Sequence, residues 1–301
     1  MPDSPMRADL LDPAQVAALG DMEIAARWIV DGFLSGLHRS PRRGASVEFA
    51  GHRSYQAGDD LRHLDWRAAA RGDRLVVKEF EAETNLSALL LVDVSRSMDW
   101  SGDAARIRKS DYARRLAAAL ALLLLRQRDA VGVLCFDGDI RSMVPAKSAR
   151  GHWRQIVAGL AAEGGANASR AGAALEHAGR SLRRSGLIVL ISDLLADDDL
   201  HAAIRATRGG GHDLVVLHVI DAAERDFPFS SEALFVDPEN GKATPAVPAE
   251  VRAAYHATVQ RVVEEWRTVC AQAGADYALL DTTDPFGASL RKAFARRERV
   301  P

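Results

Sequence analysis

The rhythm of apolar and polar positions changes near Asn85. Before it, Ile24, Trp28, Ile29, Phe33 and Leu37 keep helical spacing and predict an amphipathic helix over 23–37. HRSPRRGASVEF then breaks the pattern with Pro41 and Gly44. A mixed segment follows, with a turn at Gly58-Asp59, a short helix from Leu61 and a strand over 75–80. After Asn85, short apolar blocks alternate with longer helical patterns. LSALLLVDVS reads as a fully buried strand and KSDYARRLAAALALLLLRQRD as a long helix. AVGVLCFDG is a second strand, and DIRSMVPA a third, turned back at Asp137-Gly138. Helices are expected over 150–162 and 171–184, then a strand in GLIVLISDL. DDDLHAAIRATRGGG predicts a helix with a glycine stop, and HDLVVLHVID another strand. Residues 222–248 carry prolines and read as loop. A long helix over 249–273, a last strand in ADYALLDT and a closing helix to about Arg297 complete the chain.

Continuous Val, Ile and Leu strands alternating with helices predict a mostly parallel sheet covered on both faces. The expected fold class is α/β: a doubly wound, mostly parallel, Rossmann-type sheet over 85–301, preceded by a small α+β appendage over 1–84. The formal net charge of −2 supplies no field that argues for nucleic acid or an anionic membrane. Cys135 and Cys270 sit in apolar contexts and are expected to be buried free thiols in a reducing compartment. The opening MPDSPMRADLLDPAQ lacks the apolar core of a signal peptide. The greasiest run, LAAALALLLL, falls well short of the ~20 residues of a membrane span. It is read as a buried helix, and the protein as cytoplasmic with no membrane span.

In doubly wound sheets, ligands sit beyond the carboxyl ends of the strands. There the first buried strand delivers Asp93, Ser95 and Ser97 on alternate residues, and GLIVLIS delivers Ser192 and Asp193. VVLHVI delivers Asp221, and the last strand Asp281, Thr282 and Thr283. Oxygen-only donors suit a hard cation, magnesium first, with manganese or calcium as alternatives. Phosphotransfer of the haloacid dehalogenase kind needs a second aspartate where Ser95 stands. A strand followed by G-x-G-x-x-G, a Walker lysine loop and a G-x-S-x-G elbow are all missing. The plain alternative is that Asp93 and Ser95 cap the helix that follows.

DVSRS with a distant SD resembles the metal-ion-dependent adhesion site of von Willebrand factor A domains, a family whose fold is the doubly wound sheet. That family carries a threonine in a loop typically reading GGTDL. Here the loop reads EGGANASRAGAALE: Gly164-Gly165 match, Ala166 or Asn167 stands at the threonine place, and Ser169 is the candidate substitute. The implied metal set is Asp93, Ser95, Ser97, Asp193 and Ser169. The preceding segment looks like the hallmark of the bacterial family called domain of unknown function fifty-eight. Its motifs are Glu48-Phe49, Arg53 and Tyr55, Gly58-Asp59-Asp60 with Arg62, Asp65-Trp66 and Ala70-Arg71. The resemblance continues through ISDLL, GHDLVVLHVID and YALLDTTDPF and covers nearly the whole chain. It implies a non-enzymatic adaptor acting with a MoxR-type AAA+ ATPase and a client protein in chaperone-like maturation. Asp59, Asp60, Arg62, Asp65, Trp66 and Arg71 make a candidate docking surface, or an internal salt-bridge network over Trp66. The alternatives are a magnesium-dependent phosphatase or hydrolase using Asp93, and a metal-free scaffold.

Overall fold

The computed structural model describes residues 12–37, 52–54, 76–78, 86–149, 151–165, 167–182, 184–196, 198–237 and 241–294. Contacts divide the chain into two units, Met1–Arg39 with Leu86–Pro301, and Ser40–Asn85. In the smaller unit, β1 (His52–Ser54) pairs antiparallel with β2 (Val76–Lys78). The strand expected over 75–80 is present there in part. The turn at Gly58-Asp59, the helix from Leu61, and Asp59, Asp60, Arg62, Asp65, Trp66 and Arg71 lie outside the described residues.

The larger unit begins with α1 (Pro13–Ala18) and α2 (Met22–Leu37). It continues with β3 (Ser87–Asp93), α3 (Lys109–Arg126), β4 (Ala130–Phe136), β5 (Ile140–Lys147), α4 (His152–Leu160), α5 (Ala171–Ser181) and β6 (Leu187–Ser192). Then come α6 (Leu200–Gly209), β7 (Asp213–Ile220), α7 (Ala222–Asp226), β8 (Ala233–Val236) and β9 (Ala243–Ala246). α8 (Pro248–Ala273), β10 (Asp276–Asp281) and α9 (Phe286–Phe294) close it. Six strands form one sheet in the order β10-β7-β6-β3-β4-β5, parallel except for β5, which runs antiparallel to β4. The chain starts at β3, moves outward to β4 and β5, then crosses back to β6 on the other side. The order therefore reverses between β3 and β6, the place where ligands sit in sheets of this kind.

Side chains alternate across the sheet and build a core on each face. Leu90 and Val92 of β3 join Ile29 and Val30 of α2 and Leu116 and Leu120 of α3. Leu89 and Leu91 join Leu175 of α5 and Ile204 of α6. The run Leu116–Leu125 is thus a core helix, with Leu116, Leu120 and Leu124 fully buried. No helix among the described residues is long and apolar enough to cross a membrane. Cys135 and Cys270 are free and buried.

Two features depart from the sequence reading. That reading groups α2 with the appendage. The structure instead buries its Ala25, Ala26, Ile29 and Phe33 in the core shared with α3, because an apolar face of that width needs a partner. Residues 222–248, read as loop, contain α7 and the antiparallel pair β8–β9. α7 starts with a capping box, in which Asp221 accepts from the helix backbone and Glu224 reaches back to the Asp221 amide. Prolines mask the pair, since Pro245 lies within β9.

β4 and β5 are held in a tight, irregular register. Pairing slips between Val131 and Val133, opposite Lys147 and Val144, so β5 carries one extra residue beside Pro145. A Cβ on Gly132 would lie 2.4 Å from the Val144 carbonyl oxygen and 2.7 Å from the Ala146 nitrogen. Gly132→Ala is therefore expected to destabilise the protein by about 1–3 kcal/mol, the usual range for forcing bulk into closely packed structure. Urea denaturation checks it, and an unchanged midpoint would show that β5 gives way freely.

Candidate functional site

The site starts from the last residue of β3. Pairing with β4 continues one residue further, through the Val94 amide and the Phe136 carbonyl at 2.8 Å, and then the chain turns. Asp93 Oδ1 accepts the Ser95 amide at 2.9 Å, a local turn that short acidic side chains favour. Two further turns, Met98 N to Ser95 O and Asp99 N to Arg96 O, fold the loop tightly. Ser95 and Ser97 are thereby brought side by side, their hydroxyl oxygens 3.2 Å apart.

The other carboxylate oxygen, Asp93 Oδ2, accepts hydroxyls from Ser169 and Ser192, each at 2.7 Å. Ser192 arrives because β6 pairs in parallel with β3, with Val92 opposite Ile191 one residue earlier. Ser169 arrives from the loop before α5. That loop is tied by the Arg96 amide to the Asn167 carbonyl and the Arg170 amide to the Asp137 carbonyl, both at 3.0 Å. A bridge between Ser169 and Ala196 adds a third tie. Gly164 is required where this loop passes the strand end, since a Cβ there would sit 2.4 Å from Val94 Cγ2.

Asp193 follows β6 directly. Its Oδ1 accepts the Leu195 amide at 3.2 Å and its Oδ2 accepts Lys109 Nζ at 2.9 Å. Between them Leu194 adopts a left-handed conformation with φ 58, an uncommon state for leucine that turns the chain sharply. The Leu194 amide bonded to Ser192 Oγ at 2.9 Å helps to hold it. Asp93, Ser95, Ser97, Ser169 and Asp193 are all buried. The first four form one hydrogen-bonded group with Ser192, and Asp193 acts on it through its charge.

Burial, followed by the negative charge of Asp193, pushes the Asp93 carboxyl up to about 6, against the downward pull of Ser95, Ser192 and Ser169. Lys109, the first residue of α3, is fully buried and also donates to Glu224 Oε1 at 2.6 Å. Burial acts to lower its pKa, but Asp193 and Glu224 outweigh that and the net shift is upward. Burial raises the Glu224 carboxyl, with Lys109 pulling against it. Burial also drives His218, bonded to the Tyr277 hydroxyl at 2.8 Å, down to about 4, so its ring is neutral near pH 7.

The other residues at strand ends have structural bonds. Asp221 accepts the Ala223 amide at 2.8 Å and the Thr282 hydroxyl at 3.0 Å, and Asp281 accepts the Thr283 amide at 2.8 Å. Sequence reasoning left Lys109 and Glu224 out of the site. The signal for Lys109 was a lysine opening an apolar helix, where the helix dipole disfavours a cation.

Among the described residues, no group of three or more His, Cys, Asp and Glu side chains is placed to hold a metal ion. The donors at the end of β3 are of another kind: carboxylates of Asp93 and Asp193 with hydroxyls of Ser95, Ser97, Ser169 and Ser192. These donors are all oxygens, the type a hard cation takes, and Asp193 among them already holds the Lys109 ammonium.

Fold and site define an open α/β protein with a buried, oxygen-lined cluster at the point where its sheet order reverses. The chain belongs to the family described as protein of unknown function DUF58, whose model matches residues 51–265. It is similar to the uncharacterized protein Rv1480 of Mycobacterium tuberculosis, 31% identical over 243 residues, covering 80% of this chain and 76% of that one. It is also similar to the uncharacterized protein YeaD of Bacillus subtilis, 29% identical over 179 residues, covering 59% and 40%. Among solved structures, the conserved hypothetical protein BatB from Bacteroides thetaiotaomicron is similar with a TM-score of 0.48 at 17% identity, covering 71% of this chain and 100% of that chain. An aerotolerance-related membrane protein from Bacteroides fragilis gives 0.46 at 18%, covering 70% and 99%.

The Asp93 carboxyl sets a pH dependence. Its folded pKa of about 6 lies above the ordinary value of 3.8, so the native state holds the proton more tightly. The carboxyl therefore weighs against folding fully above pH 6, and that penalty fades as pH falls toward 3.8. In metal-free buffer, the stability of the wild type relative to Asp93→Asn is expected to rise on acidification by on the order of 3 kcal/mol. Urea denaturation of both proteins across that range measures the gap. A gap that does not move with pH would contradict the raised pKa.

Proposed function

We propose that this chain is a non-enzymatic protein-interaction module with a von Willebrand factor A-like domain. Asp93, Ser95, Ser97, Ser169 and Asp193 hold a divalent cation, magnesium before manganese or calcium. The observation that carries the reading is the meeting of two strand ends. The buried carboxylates of Asp93 on β3 and Asp193 beyond β6 act on one another while four hydroxyls crowd Asp93 and its loop. The single ammonium of Lys109 serves both Asp193 and Glu224, which leaves negative charge at the strand ends for a further positive ion to meet. The bond from Ser169 to Asp93 supports its taking the place of the threonine in the adhesion-site pattern.

A cation held by two carboxylates and neutral hydroxyls is close to neutral overall and accepts one more carboxylate. In this reading the extra ligand comes from a partner protein: a MoxR-type AAA+ ATPase or a client whose maturation the pair assists in the cytoplasm. The phosphatase alternative lacks its second acid, because Ser95 stands in that place. The metal-free scaffold has one observation in its favour, since Lys109 already gives Asp193 a positive partner.

Magnesium in hundredfold excess over its Kd is expected to stabilise the wild type by about 2.7 kcal/mol, which raises the melting temperature by several degrees. Asp93→Ala is expected to lose that rise. An equal rise in both proteins, or none in either, removes the cation from the reading. Retention of the ATPase on immobilised wild type is expected to disappear with EDTA and in Ser95→Ala combined with Ser97→Ala. Retention indifferent to both treatments would leave a scaffold.

A further inference from the structure

Lys109 is a buried charge in an unfavourable place. It opens α3, where the helix dipole repels an ammonium, and its side chain is 1% exposed. Two carboxylates offset those costs: Asp193 Oδ2 at 2.9 Å and Glu224 Oε1 at 2.6 Å. Each Asp193 oxygen already accepts one hydrogen bond, Oδ2 from Lys109 and Oδ1 from the Leu195 amide. A divalent ion on Oδ2 shares that oxygen with the Lys109 ammonium, and repulsion between the two positive charges pushes the ammonium away. Glu224 is placed to keep the ammonium paired when this happens. Its Oε2 is anchored on the Asp221 amide at 2.9 Å, so Oε1 stays directed at Lys109.

We infer that Lys109 is a resident competitor for Asp193: an incoming divalent ion displaces the ammonium onto Glu224, and Lys109 thereby sets how tightly the site takes the ion. This rests on the cation reading above and names a residue outside its ligand set. Lys109 acts here as a positioning residue, through Asp193. The consequence is reciprocal. Whatever draws Glu224 away from Lys109 returns the ammonium to Asp193 and weakens the hold on the ion.

The test is a titration of magnesium alone by isothermal calorimetry. Lys109→Met by itself strips two buried carboxylates of their partner, so the informative protein is Lys109→Met combined with Glu224→Gln. The pair removes one positive and one negative charge and keeps the local formal charge of the wild type. If only the local field mattered, its affinity would equal that of the wild type. Competition predicts binding tighter by on the order of tenfold, the scale of one charge-assisted hydrogen bond no longer broken on binding. Glu224→Gln alone is expected to bind more weakly than the wild type. Circular dichroism melts without magnesium confirm that each variant is folded. Wild-type binding that the double variant leaves unchanged or weakens overturns this inference and spares the cation site. Absence of binding in every protein overturns both. Binding by the double variant alone supports competition in its strongest form.

Discussion

A carboxylate buried at the end of a central strand has to be satisfied on every side, and the loops of this protein are arranged around that requirement. Asp93 is fully buried, and leaving its charge unpaired there would cost several kcal/mol. One oxygen is met by the amide of its own loop, the other by hydroxyls from two segments distant in sequence. Those segments can meet it because β3 lies between β4 and β6 and the strand order reverses beside it. The same burial keeps the carboxyl protonated to a higher pH than an exposed aspartate. Satisfaction of Asp93 thus fixes the loop after β3, the loop before α5 and the end of β6 together.

Beside this hydroxyl-rich group lies an ionic one of different character. Lys109, Asp193 and Glu224 link the start of α3, the end of β6 and the first turn of α7. Asp193 belongs to both groups, through charge on one side and a direct bond on the other. His218, held neutral by burial, adds no charge to them near neutral pH. A change in the ionic group therefore reaches Asp93 by way of a single carboxylate.

The strand and helix order was legible because buried parallel strands write themselves as unbroken apolar runs, as ALLLV over 88–92 does. The return of β5 was legible from the Asp-Gly turn at Asp137-Gly138. The hydroxyls of Ser95 and Ser97 could be read from their alternate spacing after Asp93, and Ser169 from its loop. Lys109 escaped because a lysine in a first helical turn ordinarily faces water, and only the tertiary position of Asp193 and Glu224 makes burial tolerable. α7 escaped although its D-A-A-E capping box was present, because prolines further along gave the whole stretch a loop-like composition. The placement of α2 against α3 depends on which apolar faces meet, and periodicity alone does not specify that.

The register break in β5 reaches beyond the stability of that strand. β5 lies at the margin of the sheet, its pairing with β4 is interrupted twice, and it carries Pro145, which has no amide hydrogen to offer. A margin built this way is a poor template for lengthening the sheet by docking a foreign strand. Extension of the sheet by strand addition is therefore blunted on that side, and a contact made through the β5 edge would have to use side chains rather than a continued ladder of backbone hydrogen bonds.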